Sequence, residues 1–258
     1  MNLNFLIKKW KEFSNSPEFE ECKKYAKIRN EYVPTTNAKI NKFIQSKMNL
    51  AILKNVIDNI KPSDDNIRRR KIMSVWGADG FKGMMLFNIL KKYAIEDELK
   101  KLGKLLRKCI IIPNNIDGAE EKIDIFAEYV KDLSKIIDSK RVFKIDSQKS
   151  LEHVKIALNP SYSKTFIPVF WDMQDLDKFP IYYTSCEKVI KKLYEKNNYY
   201  SRFNSPGENY RLFYEFNLDL KKLLKKEYKE NLSFSDISTN YLKYIDEVYL
   251  EKKKLIKQ

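Results

Sequence analysis

Two helix starts spelled out in side chains frame the most constrained stretch of this chain. Residues 174–214 read QDLDKFPIYYTSCEKVIKKLYEKNNYYSRFNSPGENYRLFY. Thr184 with Glu187 three residues on has the form of a capping box, in which each side chain satisfies a free N–H of the first turn. Ser205-Pro206-Gly207-Glu208 supplies a cap residue, a Pro at the first helical position and a Glu at the third. Between the acidic turn and Thr184 lies Lys178-Phe179-Pro180-Ile181-Tyr182, which carries no helical pattern. Pro180 also disfavours helix at the residue before it. Phe179, Ile181 and Tyr182 are therefore expected to be buried from an extended segment, with Pro180 fixing the turn between two helices.

Helical spacing recurs along the rest of the chain. Leu3, Phe5, Leu6, Ile7, Trp10 and Phe13 form an apolar stripe on a first helix. Pro17 opens a helix through about Tyr32, Pro34-Thr35-Thr36 ends it, and Thr36 caps another carrying Ile40, Phe43 and Ile44. Leu50–Ile60 and a run from Ser63 holding Arg68-Arg69-Arg70-Lys71 read as two more. Leu99, Leu102, Leu105 and Leu106 mark a further helix. Ile110-Ile111-Ile112-Pro113 suits a short strand or a buried linker. Asp117 with Glu120 has capping-box spacing ahead of Ile123, Phe126, Val130, Leu133 and Ile137. Two helices near 150–172 and two near 206–230 and 236–256 complete the pattern. With only 6 Gly and 8 Pro in 258 residues, helix is favoured over sheet. The expected fold is all-α, a multi-helix globular domain with at most a minor strand pair. The polar Lys140–Ser150 stretch divides a basic helical sub-domain, 1–145, from a second helical sub-domain, 146–258.

The 174–214 stretch resembles a helical module of bacterial and archaeal restriction and defence proteins, among them the N-terminal region of McrB-type modification-dependent restriction GTPases. The residues that carry the resemblance are Asp177, Phe179, Pro180, Ile181, Tyr182, Ser185 and Leu193, then Ser205, Gly207, Glu208 and Tyr210. Trp76-Gly77 with Gly83–Asn88 adds a weaker match. The chain departs from the pattern at its first Pro, replaced by Leu176-Asp177-Lys178, and in the Gly hairpin, where Pro160–Lys164 stands. The resemblance implies DNA targeting on behalf of an AAA+/GTPase motor or a nuclease carried by another domain or chain.

Charge points toward the same partner. The net charge is +15, and it is unevenly placed. Residues 1–108 carry 24 basic and 12 acidic side chains, a net of +12. Residues 109–200 carry 14 of each, and residues 201–258 carry 12 and 9. A lysine-rich solvated surface accounts for a uniform excess. A concentrated one suits an electrostatic footprint for nucleic acid. Arg68, Arg69, Arg70 and Lys71 form the densest run. Lys82, in the Gly77–Gly83 loop before a helix, can add a phosphate contact. In the aromatic-basic segment, Tyr199, Tyr200 and Arg202, with Lys191 and Lys192 on the preceding helix, suit stacking on unpaired or flipped bases. Tyr210 and Phe213 sit at helical spacing and are expected to pack in the core.

Much chemistry is excluded. His153 is the single histidine, so no His pair can hold a metal. No phosphate-loop motif is present. Cys22, Cys109 and Cys186 have neither metal-ligand nor redox spacing, and an odd count argues against a disulfide framework, as in a reducing cytoplasm. The N-terminal helix is amphipathic and unlike a signal peptide. No apolar run reaches the roughly 18 residues that a membrane span requires. The sequence reading is a cytoplasmic DNA-binding module without enzymatic activity or cofactor, whose target is a duplex, with a modified or flipped base among the candidates. Two rivals stand beside it. One is a helical protein-interaction adaptor without nucleic-acid binding. The other is a metal-dependent nuclease using Asp246, Glu247, Glu251 and Lys253.

Overall fold

The computed structural model describes residues 3–46, 86, 89, 92–143, 148–193 and 204–251. Every regular element among them is helical, and the fold is all-α. In chain order the helices are α1 (Leu3–Ser14), α2 (Pro17–Gln45), α3 (Glu96–Ile110), α4 (Ile116–Ile136), α5 (Ser139–Phe143), α6 (Gln148–Ala157), α7 (Ser163–Asp172), α8 (Thr184–Leu193) and α9 (Pro206–Tyr228). A 3₁₀ turn, Pro160–Tyr162, precedes α7. After α9 come two stretches of π-helix, Asp236–Tyr241 and Asp246–Glu251, with the α-turn α10 (Leu242–Ile245) between them. The expected helices at 50–60 and 63–71, and the Gly77–Gly83 loop, lie outside the described residues.

Helices α4 and α9 are the central pair. They run in opposite directions where they touch. Arg211 of α9 holds Asp117 and Glu120 of α4. One and two turns further along α4, Asp124 accepts hydrogen bonds from the Ser205 hydroxyl at 2.7 Å and the Gly207 N–H at 2.7 Å. Gly207 makes this close approach possible. A Cβ there would lie 2.5 Å from the Glu120 carbonyl oxygen and 2.6 Å from Asp124 Oδ2. The cap of α9 forms as its sequence requires. Glu208 N–H donates to Ser205 Oγ at 3.0 Å, and the Glu208 carboxylate returns to the Ser205 N–H at 2.6 Å.

The Phe179–Tyr182 segment is non-helical and buried between α7 and α9. Phe179 packs on Trp171 and Tyr214, and Tyr182 on Phe213. The Tyr210 hydroxyl donates to the Pro180 carbonyl at 2.8 Å, which satisfies a carbonyl that no helix reaches. Tyr210 and Phe213 are fully buried, as their spacing predicts. Trp171 Nε1 donates to the Cys109 carbonyl at the end of α3, at 2.8 Å. The Gln174 amide serves Ile110 and Phe170 carbonyls and the Ile112 N–H, while its own carbonyl accepts from Asn37. One residue thus fastens α2, α3 and α7 together. The Ile111–Pro113 connection is therefore a linker and not a strand.

The two ends of the described chain share one aromatic cluster. Trp10 packs edge-on against Phe13, Phe19 and Tyr241. The Tyr241 hydroxyl donates to the Leu6 carbonyl. A single apolar core runs from Leu6 to Ile245 and includes residues from both sides of position 145.

Three local expectations fail, each for a tertiary reason. Helix α2 continues through Pro34. A proline removes one N–H and crowds one carbonyl, which bends a helix without necessarily ending it. Burial of Phe19 on one side of Pro34 and of Ile40 and Phe43 on the other keeps the two halves in line. The cap of α4 is Asn115, whose side chain accepts the Gly118 N–H at 2.9 Å, and not Asp117. Asp117 and Glu120 face Arg211 instead. Thr184 is the first residue of α8 rather than its cap, because Glu187 turns toward Lys164 and Lys191.

Phe179→Ala should lower stability by about 3–5 kcal/mol, since the cavity opens among Trp171, Tyr214 and the α9 backbone. Gly207→Ala should cost about 1–3 kcal/mol by overpacking against Glu120. Urea unfolding of both variants measures this. A neutral Gly207→Ala would show that α4 and α9 can separate without penalty.

Candidate nucleic-acid interface

Of the cations expected from sequence to meet nucleic acid, Lys191 and Lys192 are described. Arg68, Arg69, Arg70, Lys71, Lys82, Tyr199, Tyr200 and Arg202 lie outside the described residues. Lys191 and Lys192 are exposed in the last turn of α8. Lys191 is held by Glu187 at 2.5 Å. Glu187 also lies 3.8 Å from Lys164, whose ammonium sits 4.6 Å from the centre of the Tyr182 ring. Burial drives the Glu187 carboxyl upward, but Lys164, Lys191 and Tyr182 outweigh it and hold the group below the usual Glu range. Burial lowers the Lys164 ammonium, with Glu187 opposing. Lys188, one turn back, reaches the buried Asp246 at 3.3 Å. The lysines of α8 are thus partly engaged in fastening the C-terminal segment.

A different face carries cations that no carboxylate neutralises. Helix α3 buries Leu102, Leu106, Cys109 and Ile110. Asp97, Lys101, Lys104 and Lys108 fall along the opposite face, at spacings of four, three and four residues, and all four are exposed. Lys101, Lys104 and Lys108 have no carboxylate within ion-pair distance among the described residues. The acids of the first turn are engaged elsewhere. Lys100 takes Glu96 and Asp97. Glu98, the other acid of the first turn, is buried. Its two oxygens lie 2.9 Å from Arg141, and one of them caps the Ile95 N–H at 2.9 Å. Beyond Glu98 the helix contains no acid at all. Three ammonium groups therefore line about 10 Å of helix axis.

The neighbouring α4 behaves oppositely. Lys131 pairs with Glu128 at 3.1 Å and Lys135 with Asp132 at 2.8 Å. The α3 stripe was legible as three lysines at positions i, i+3 and i+7 with no downstream acid.

Other chemistry is sparse. Asp246 is 3% exposed, while Glu247 is exposed and lies 3.7 Å from Lys243. These two neighbours therefore face different surroundings. Among the described residues no group of three His, Cys, Asp or Glu side chains can hold a metal ion, and no helix is long and apolar enough to cross a membrane. His153 is exposed on α6. No disulfide joins Cys22, Cys109 and Cys186. Burial pushes the Cys109 thiol up to about 12 and raises Cys186 further. A cleft of about 760 Å³ lies between α2 and the segment after α9, lined by Phe19, Lys23, Lys27, Glu230, Leu232 and Asp236 among others. No protein-family model, curated protein or solved structure matches the chain.

A Glu held below its unfolded value stabilises the fold fully above the ordinary carboxyl range, about pH 4.3. That contribution is lost as pH falls through the lower folded value. Glu187→Gln should therefore remove part of the acid-side loss of stability, seen by urea unfolding across a pH series. An unchanged acid limb would mean that Lys164 and Lys191 do not hold this carboxylate. At mildly alkaline pH, iodoacetamide should label Cys22 in the native protein, and Cys109 and Cys186 only after unfolding. Mass spectrometry of the labelled peptides reads the difference.

Proposed function

We propose that the chain is a nucleic-acid-binding module of a prokaryotic restriction or defence system. On this reading it binds duplex DNA chiefly through phosphates, and a motor or nuclease on another domain or chain acts on the bound DNA. The observation that carries the binding is the α3 stripe. Lys101, Lys104 and Lys108 are exposed in a row, and the acids beside them are committed to Lys100 and Arg141. Fixed like charges on one rigid helix repel one another, and a polyanion relieves that repulsion while releasing its own counterions. The net of +12 over residues 1–108 supports the same partner. The defence context rests on the resemblance of the Phe179–Tyr182 turn and the Ser205–Tyr210 cap. In this structure those residues are core and helix cap, so they serve as scaffold for the module. Phosphate contacts position a protein without reading sequence. Recognition of a modified or flipped base falls to other side chains, with Tyr199 and Tyr200 the proposed stacking pair.

One feature favours the adaptor reading, the cleft between α2 and the segment after α9. Its lining mixes Lys23 and Lys27 with Glu230 and Asp236 around Phe19 and Leu232, a composition suited to a peptide of mixed charge. Binding there would depend only weakly on salt.

Titration of plain duplex, methylated duplex and single-stranded DNA over a range of salt tests the proposal. With roughly four to six phosphate contacts, log affinity should fall against log salt with a slope of about −4 to −5. Replacing Lys101, Lys104 and Lys108 with Gln should make the slope shallower by about 2.7 while the thermal transition stays in place. A slope near zero for the parent chain would sink the nucleic-acid reading. An unchanged slope in the triple variant would remove α3 from the footprint.

A further inference from the structure

We propose a second anion-binding surface at the junction of α1 and α9, and infer that it takes the phosphate backbone of nucleic acid. Five lysines from opposite ends of the sequence lie on the segments joined there, each within about one turn of a contact residue: Lys8 and Lys11 of α1, Lys225 and Lys226 of α9, and Lys229 just beyond it. Two hydrogen bonds bring the segments together. The Tyr228 hydroxyl donates to the Ile7 carbonyl at 2.9 Å, and Trp10 Nε1 donates to the Glu230 carboxylate at 3.4 Å. Lys8 and Lys229 are each next in chain to one residue of the first bond. Lys11 and Lys229 flank the second. Lys225 lies one turn back, its carbonyl accepting the Lys229 N–H at 2.9 Å. All five side chains are exposed. None lies within ion-pair distance of a carboxylate among the described residues. The carboxylates beside them are engaged or single. Glu12 takes Lys9 and Tyr249, Glu230 takes Trp10, and Asp219 lies near Lys222. Glu227 is the one acid interleaved with the α9 lysines.

Lys229 adds an independent observation. It adopts φ 58° and ψ 20°, the left-handed conformation that closes a helix, and it is the only non-glycine residue with positive φ among those described. Glycine is the usual occupant of that position, because a side chain there is strained. A lysine gives up stability here, one residue beyond the Tyr228 contact with α1. The helix dipole accounts for Lys225 and Lys226 in the last turn of α9. It accounts neither for Lys229 in this conformation nor for the exposed Lys8 and Lys11 on the neighbouring helix. A polyanion laid across the junction offsets the cost at Lys229. This inference rests on the nucleic-acid reading for its partner, and on none of the α3 residues.

The test uses the full chain, a short fluorescent DNA duplex and a salt series. Lys229→Gly should raise Tm by about 2–4 °C, the shift that relief of modest strain gives in a domain of this size. The same change should make the salt slope shallower by about 0.9, the loss of one phosphate contact. Opposite signs in stability and binding are what a purely structural lysine would not give. Replacing Lys8, Lys11, Lys225 and Lys226 with Gln should flatten the slope by about 0.9 for each lysine that meets a phosphate. Lys131→Gln with Lys135→Gln on α4 should leave it unchanged. If the junction variants bind as the parent does while the α3 variant binds more weakly, this surface is overturned and the nucleic-acid reading stands. If the parent shows no salt-dependent binding to duplex, both fall. If the junction variants lose binding to phosphatidylserine-containing vesicles and keep their affinity for DNA, the surface faces a membrane and the proposal is overturned.

Discussion

The close approach of α4 and α9 at Gly207 is the constraint on which the rest of the packing depends. A helix backbone can rest on another helix's carbonyl only where no side chain intervenes. At Gly207 the distance a Cβ would have to Glu120 O is 2.5 Å, well inside any normal contact. That approach brings the first turn of α9 onto Asp124, which satisfies the free Gly207 N–H with a full negative charge at the positive end of the helix. With α9 seated in this way, Tyr210 meets the Pro180 carbonyl and Phe213 meets Tyr182. The far end of α9 then delivers Tyr228 to α1. A steric requirement at one glycine thus propagates along 23 residues of helix to the N-terminal segment.

Local structure was legible in this sequence where one residue decides it. Ser205, Pro206 and Glu208 make a complete cap within four residues, and the cap forms. Phe179, Ile181 and Tyr182 surround a proline in a stretch without helical spacing, and the segment is buried and non-helical. Where an acid has a choice of partners, the sequence is ambiguous. Asp117–Glu120 and Thr184–Glu187 have the same spacing as the cap that forms. Yet their carboxylates go to Arg211 and Lys191, cations within reach in the folded structure. Arg211 is 91 residues from Glu120, and no local window contains it. Pro34 misleads for a related reason. Its cost is local, while the burial of Ile40 and Phe43 that opposes it is tertiary.

The same distinction governs the charged surface. The excess of lysine is a property of composition, whereas its pairing is a property of structure. Lys131 and Lys104 both lie on amphipathic helices. Only the first has an acid one turn away, and that much can be read from sequence. The commitment of Glu98 to Arg141 is set by contacts 43 residues apart, and it leaves Lys101 without the partner its own helix offers. The junction of α1 and α9 lies beyond sequence reading altogether, since Ile7 and Tyr228 are 221 residues apart.

Unpaired lysines on rigid helices store repulsion in the folded state. On α3 the spacing of the lysine Cα atoms is fixed by the helix, so that stripe cannot spread without breaking the helix. An unfolded chain can separate these charges, so repulsion works against folding at low salt. An anion that binds the folded surface and not the unfolded chain reverses that balance by mass action. Simple salt screens the same charges over a Debye length of about 10 Å at 0.1 M, comparable with the length of the α3 stripe. Two effects of salt are therefore opposed in this protein. Screening relieves the free fold and weakens its grip on a polyanion. The surface is consequently most strained, and most receptive, under the same low-salt conditions. That coupling distinguishes clustered, unpaired lysines from the paired lysines of α4, whose charges are already met within their own helix.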